Sequence, residues 1–93
     1  MTHDKLILDI SALFLETGEN HHKAFIESQG VDSEWPLWYA NYLHSRLGKL
    51  LNTEFTKSEI IYLLFMLDKK IAAEAVEENW TLYYAKYLVD NYN

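Results

Sequence analysis

Two adjacent histidines carry the chemistry that is easiest to name in this chain, because imidazole binds metal ions and titrates near neutral pH. The candidate metal ligands are His21 and His22, the preceding Glu16 and Glu19, and His3 near the start of the sequence. In a helix, adjacent side chains point about 100° apart, which is a poor arrangement for two ligands of one metal. We therefore predict no metal site and no cofactor, and expect the histidines to bond to backbone.

The carboxylates, serines and glycines do not form a recognisable catalytic arrangement. Asp9 and Glu16, seven residues apart on one helix face, are typical of a solvent-exposed stripe rather than of an acid–base pair. The five serines lack a G-x-S-x-G elbow, and the isolated Gly18, Gly30 and Gly48 cannot form a phosphate-binding loop. We predict a non-catalytic protein without catalytic residues.

An internal aromatic repeat is the most specific feature of the sequence. Residues 35–43 read WPLWYANYL and residues 80–88 read WTLYYAKYL, so six of nine positions are identical. At helical spacing, Tyr39 and Tyr84 share a predicted core face with the following alanine and leucine of each copy. Four further aromatic side chains of the repeat fall on the opposite face or at its edge, and these are Trp38, Tyr42, Tyr83 and Tyr87.

Two explanations of these four off-face aromatic residues stay open. They can fill a second seam inside the domain, or they can form a surface that binds a protein partner or a second copy of the chain, since Trp and Tyr anchor interfaces. We predict a small acidic interaction or regulatory module that acts through this surface. The alternative is a small-ligand or metal-binding helical protein, with a pocket between the halves. Its predicted lining is Trp35, Trp80, His21 and His22.

The elements that would position these residues are helices with short connections, since apolar residues recur at helical spacing and the chain has one proline and three glycines. We predict an all-α bundle of five or six helices. The predicted helices span residues 4–17, 20–29, 33–51, 57–67, 68–76 and 79–93.

Several local signals set these boundaries. Gly18 and Gly30 are predicted to end helices, and Asp68 to begin one. Pro36 suits a first helical turn, and Thr56 with Glu59 matches a capping box.

The repeat divides the predicted bundle into two similar three-helix halves, at about residues 4–51 and 56–93 of a single domain spanning 1–93. The first helices of the halves are predicted to lie at the centre. The helix over 57–67 is expected to be the most buried, because residues 60–67 are apolar all round.

Composition narrows the classes of partner. The chain of 93 residues carries a net charge of −6, which disfavours nucleic acid and anionic membranes and favours a basic protein partner. Without cysteine there is no disulfide or thiolate metal site. The longest apolar run has eight residues, against the about 20 that span a bilayer, and no signal peptide is visible, so we expect a cytoplasmic protein.

The segment HHKAF at residues 21–25, followed by DSEWPLWYA at residues 32–40, resembles a group of short bacterial helical proteins. These share the paired histidines, the W-P-x-W-Y-A helix and a related tryptophan–tyrosine segment in a second half. The likeness covers most of the chain and implies a bacterial, cytoplasmic protein, but no particular activity. Asn79 and Thr81 flank Trp80 where the resemblance leads us to expect proline.

Overall fold

The computed structural model describes residues 3–24, 34–74 and 79–92. Its helices are α1 (His3–Ala24), α2 (Trp35–Leu51), α3 (Lys57–Glu74) and α4 (Trp80–Tyr92). The all-α class is therefore confirmed. The predicted number of five or six is wrong for the described residues, which form four helices, so each half of the repeat contributes two described helices rather than three.

The predicted helix end at Gly18 is wrong, because α1 continues to Ala24. Residues 20–24 belong to this continuous helix, and the rest of the helix predicted over 20–29 lies outside the described residues, as does Gly30. A Cβ at Gly18 would lie 3.3 Å from the Tyr39 hydroxyl oxygen and 3.6 Å from the Trp80 ring. Glycine is thus present at this position because two aromatic side chains approach the helix closely.

The predicted start of a new helix at Asp68 is wrong as well. α3 runs through Asp68 to Glu74 without a break. Its apolar spacing continues from Leu64 and Leu67 to Ile71, at the three- and four-residue intervals that keep a single helix face in contact with the core. The remainder of the helix predicted over 68–76 lies outside the described residues.

Local signals in the sequence agree with both ends of α2. Pro36 lies in the first turn of α2, and the helix ends at Leu51 as predicted. Asn52 then adopts a left-handed conformation with φ 52°, and the Thr53 N–H donates a 3.0 Å hydrogen bond to the Gly48 carbonyl. This is the geometry by which helices are commonly closed at their C-terminus.

Both C-terminal helices have polar caps. The predicted capping box is confirmed: the Thr56 N–H donates to Glu59 Oε1 at 2.8 Å, and the Glu59 N–H donates to Thr56 Oγ1 at 3.0 Å. α4 starts on Asn79, whose Oδ1 accepts hydrogen bonds from the Thr81 N–H at 2.8 Å and the Thr81 hydroxyl at 2.6 Å. The asparagine cap thus takes the place of the proline that the resemblance leads us to expect.

The four described helices pack in three main pairs. α1 packs against α4 and α2, and α2 also packs against α3. Thus α1 packs on the second aromatic helix, α4, and α3 packs on the first, α2. The prediction that the two first helices form the centre is wrong, because each of them uses its apolar face for an aromatic helix.

The core faces of the helices are largely as predicted, but α3 is less buried than expected. The largest side chains with almost no exposure are Ile10, Phe14, Leu43, Leu47, Ile60, Leu64, Leu67 and Leu88. In contrast, Tyr62 is 65% exposed and Phe65 is 54% exposed. The apolar run in α3 thus covers more than one face, and only one of its faces meets the core.

Candidate functional site

A cavity of about 380 Å³ is lined by aromatic rings from both copies of the repeat. α2 contributes Trp35 and Tyr39, and α4 contributes Trp80 and Tyr84, which occupy the same positions in the second copy. α3 adds the remaining lining residues, Asp68 and Ile71. The cavity therefore lies where the aromatic helices of the two halves come together with α3.

Each tryptophan–tyrosine pair is set by its spacing of four residues, which places both side chains on one helix face. The ring centroids of Trp35 and Tyr39 are 5.1 Å apart with an interplanar angle of 80°. Those of Trp80 and Tyr84 are 5.3 Å apart, also at 80°. The two copies of the repeat thus present the same edge-to-face corner to one cavity.

Phe14 of α1 packs against the second pair, Trp80 and Tyr84. Its ring centroid lies 5.3 Å from Tyr84 and 6.1 Å from Trp80, and both contacts are edge to face. Phe14 itself is fully buried. Since its surroundings leave it little freedom to move, Phe14 fixes the position of this wall of the cavity.

The polar groups at the cavity are two phenol hydroxyls and one carboxylate. Burial raises the pKa of Tyr84 far above its usual range, and the neighbouring Asp68 carboxylate raises it further. Burial also raises the pKa of Tyr39. Both phenols are therefore neutral at physiological pH, and among the described lining residues only the exposed Asp68 carries a negative charge.

A second cavity of about 590 Å³ lies on the other side of Tyr39 and Trp80, which line both cavities. α1 supplies the rest of the second lining, which consists of Leu15, Gly18, Glu19, His22 and Lys23. The missing side chain of Gly18 lets the Tyr39 hydroxyl and the Trp80 ring reach α1.

The four residues of the predicted pocket therefore do not all line one cavity. Trp35 and Trp80 line the first cavity, and His22 lines the second. The ring of His21 lies 5.4 Å from that of Tyr39 and 5.2 Å from that of Trp38. His21 therefore belongs to the aromatic packing between α1 and α2.

Trp38 and Tyr42, two of the four off-face aromatic residues, lie along α1. Their rings stack at 5.5 Å with an interplanar angle of 10°, and the Arg46 guanidinium lies 4.0 Å above the Tyr42 ring. The Tyr42 hydroxyl donates a short hydrogen bond to Glu16 and accepts one from the Asn20 amide at 2.9 Å. The bond to Glu16 is the main reason why the pKa of Tyr42 is raised.

The other two off-face residues lie along α3. The Tyr83 hydroxyl donates to Glu74 at 3.3 Å, and the Tyr87 hydroxyl lies 4.0 Å from the sulfur of Met66. Burial and the neighbouring Glu74 raise the pKa of Tyr83. All four off-face residues are half-buried. The structure thus places them on two separate seams, and their role in partner binding stays a prediction.

The described residues contain neither a metal-binding cluster nor a membrane-spanning helix. In residues 3–24, 34–74 and 79–92, no group of three or more His, Asp or Glu side chains is arranged to hold a metal ion. None of the four described helices combines the length and the apolar character needed to cross a bilayer.

Sequence reasoning missed several residues of the cavity. Tyr39 and Tyr84 are assigned to the core face by their helical angle, and Asp68 to a helix cap. The available signal was the tryptophan four residues before a tyrosine, present in both copies of the repeat. Comparison of the chain with protein-family models, curated proteins and solved structures finds no match.

Proposed function

We propose that this protein is a non-catalytic binding protein that holds a small ligand in the aromatic cavity between its halves. One observation carries the proposal: equivalent tryptophan–tyrosine pairs, Trp35 with Tyr39 and Trp80 with Tyr84, converge on a single cavity of about 380 Å³. Ligand sites in proteins are concave, largely apolar and of about this size, with a few polar groups that orient the ligand.

The chemistry of the lining favours binding over reaction. The six described lining residues provide one carboxylate and two neutral phenols as their titratable groups, and none of the six is a histidine, serine, threonine or lysine. A nucleophile with a neighbouring base, or two carboxylates with different environments, is what acyl transfer or hydrolysis requires. The described lining offers neither, so we assign it recognition rather than catalysis.

The off-face aromatic residues support a partner surface less well. The hydroxyls of Tyr42 and Tyr83 already bond to Glu16 and Glu74 of the neighbouring helices. A partner would have to compete with these internal bonds, whereas the hydroxyls of Tyr39 and Tyr84 make no hydrogen bond to another described residue. We therefore favour ligand binding in the cavity over partner binding at the predicted interaction surface.

The experiment is a titration of ¹⁵N-labelled protein with small cationic, anionic, aliphatic and aromatic fragments at millimolar concentration. The three tryptophan indole N–H groups serve as reporters. We expect at least one class of fragment to shift the signals of Trp35 and Trp80 more than that of Trp38. If no fragment of any class shifts the signals of Trp35 and Trp80, the proposed function is wrong.

Matched variants locate the binding. Trp80→Leu removes a ring from the cavity, and Trp38→Leu removes the same ring area from the seam between α1 and α2. Binding should be lost in Trp80→Leu and kept in Trp38→Leu. Because Trp80 also packs on Phe14, circular dichroism must show that the variant is folded, and Trp35→Leu replaces it if it is not.

A further inference from the structure

We propose that the ligand of the aromatic cavity is an organic cation that carries a methylated ammonium group. This inference rests on the proposed function and names the chemistry of its ligand. Aromatic rings that surround a cavity, together with a carboxylate at its edge, are the arrangement that recognises such groups, because the ring faces and the carboxylate both attract positive charge.

The ring geometry supplies the first step. In an edge-to-face pair the two ring planes are close to perpendicular, so each pair forms a corner with two differently oriented walls. Trp35 with Tyr39 and Trp80 with Tyr84 both have interplanar angles of 80°. Two such corners place four rings of different orientation along one cavity. A cation is attracted to a ring face within about 6 Å of the ring centroid.

The charges around the cavity supply the second step. Asp68 is the only charged residue among the described lining residues. The two lysines that follow it have partners elsewhere: Lys70 forms a 3.3 Å ion pair with Glu74, and Lys69 lies 4.5 Å from the centre of the Phe65 ring. No described cation forms an ion pair with Asp68. Its carboxylate is thus available to a positively charged ligand.

The charges at the cavity disfavour an anionic ligand. An anion would be repelled by the Asp68 carboxylate and by a chain whose net charge is −6. A strongly hydrated ammonium ion would lose its water against apolar rings, whereas a methylated ammonium carries its charge on a weakly hydrated, apolar surface. Methylation therefore matches both the sign and the polarity of the lining.

The test compares choline with 3,3-dimethyl-1-butanol, a neutral molecule in which carbon replaces the ammonium nitrogen. Binding is followed by tryptophan fluorescence in the Trp38→Phe variant, whose two remaining tryptophans both line the cavity. We expect choline to bind at least tenfold more tightly than the neutral molecule, a difference typical of desolvated cation–π contacts. Equal affinities would overturn the cation inference and leave the proposed function standing.

Charge variants give a second readout. Asp68→Asn should weaken choline binding at least fivefold without changing the affinity for the neutral molecule. Asp90→Asn is the matched control, because it removes the same charge from an exposed position about 15 Å along α4 from Trp80. Equal effects of the two variants, or no binding of choline at millimolar concentration, would overturn the inference. The fragment titration then decides separately whether the cavity binds other ligands.

Discussion

Replacement of Gly48 by alanine should destabilise the protein, although alanine is the better helix former. Gly48 lies inside α2, where helix propensity alone predicts a gain of about 1 kcal/mol for the change. A Cβ at this position, however, would lie 2.8 Å from the backbone carbonyl oxygen of Thr53. Backbone cannot rotate away as a side chain can, so the turn after α2 must move.

The cost follows from the bonds that hold this turn. Moving it weakens the 3.0 Å hydrogen bond from the Thr53 N–H to the Gly48 carbonyl and the 2.6 Å hydrogen bond between His44 Nε2 and the Phe55 carbonyl. Each is worth about 1 kcal/mol, and the steric contact adds about 1–2 kcal/mol. After the gain in helix propensity, the expected net loss is about 2–3 kcal/mol, or roughly 10–20 °C in melting temperature.

Urea denaturation followed by circular dichroism measures this free energy of unfolding. Gly18→Ala is the matched control, since Gly18 also lies inside a helix but faces the side chains of Tyr39 and Trp80 rather than backbone. The free energy of unfolding of Gly18→Ala should differ from wild type by less than about 0.5 kcal/mol, as the gain in propensity is offset by the displaced hydroxyl. If Gly48→Ala were as stable as wild type or more so, the close approach of position 48 to the Thr53 carbonyl would be refuted.

Three further predictions concern the aromatic residues. In a Tyr39→Phe background, Gly18→Ala should stabilise the protein by about 1 kcal/mol, because the hydroxyl that crowds the new methyl group is gone. An identical effect of Gly18→Ala in the wild-type and Tyr39→Phe backgrounds would contradict the close contact. Trp38→Ala should lower the melting temperature by about 5–10 °C without changing the oligomeric state in sedimentation, whereas loss of an association at an unchanged melting temperature would favour the interaction surface. Finally, the stability contributed by Tyr84 should be complete below pH 10, the pKa in the unfolded chain, and should be lost as the pH rises above it, because the pKa in the folded chain is raised. Urea denaturation from about pH 8 to about pH 11 should therefore show a smaller alkaline loss for Tyr84→Phe than for wild type, and equal losses would show that Tyr84 is not shielded.

Local signals in the sequence predicted those parts of the fold that depend on local hydrogen bonds. The capping box of Thr56 and Glu59, the position of Pro36 and the end of α2 at Leu51 each involve residues within a few positions of one another. The errors at Gly18 and Asp68 have a different origin. Glycine within a helix can serve as a terminus or as a place of close approach, and only the neighbouring helices decide between them.

Only part of the candidate site was predicted, because contacts between helices decide the rest. A helical angle shows which side chains share a face, but not whether another helix covers that face completely. Tyr84 is a core residue and Tyr39 packs against the core, as their helical angle predicts, but both also line a cavity. Trp35 and Trp80 were predicted to line the alternative pocket, whereas no local signal in the sequence relates Asp68 to them.

The repeat also gives a physical reason for a cavity at this place. Close packing requires that large side chains on one element meet small ones on another. Ala40 and Ala85, at equivalent positions of the two copies, are small, and both are fully buried. One position earlier, the same sequence repeat provides Tyr39 and Tyr84, and four residues before them two tryptophans. The repeat thus places a large ring at each of these equivalent positions, and the four rings line the cavity together with Asp68 and Ile71.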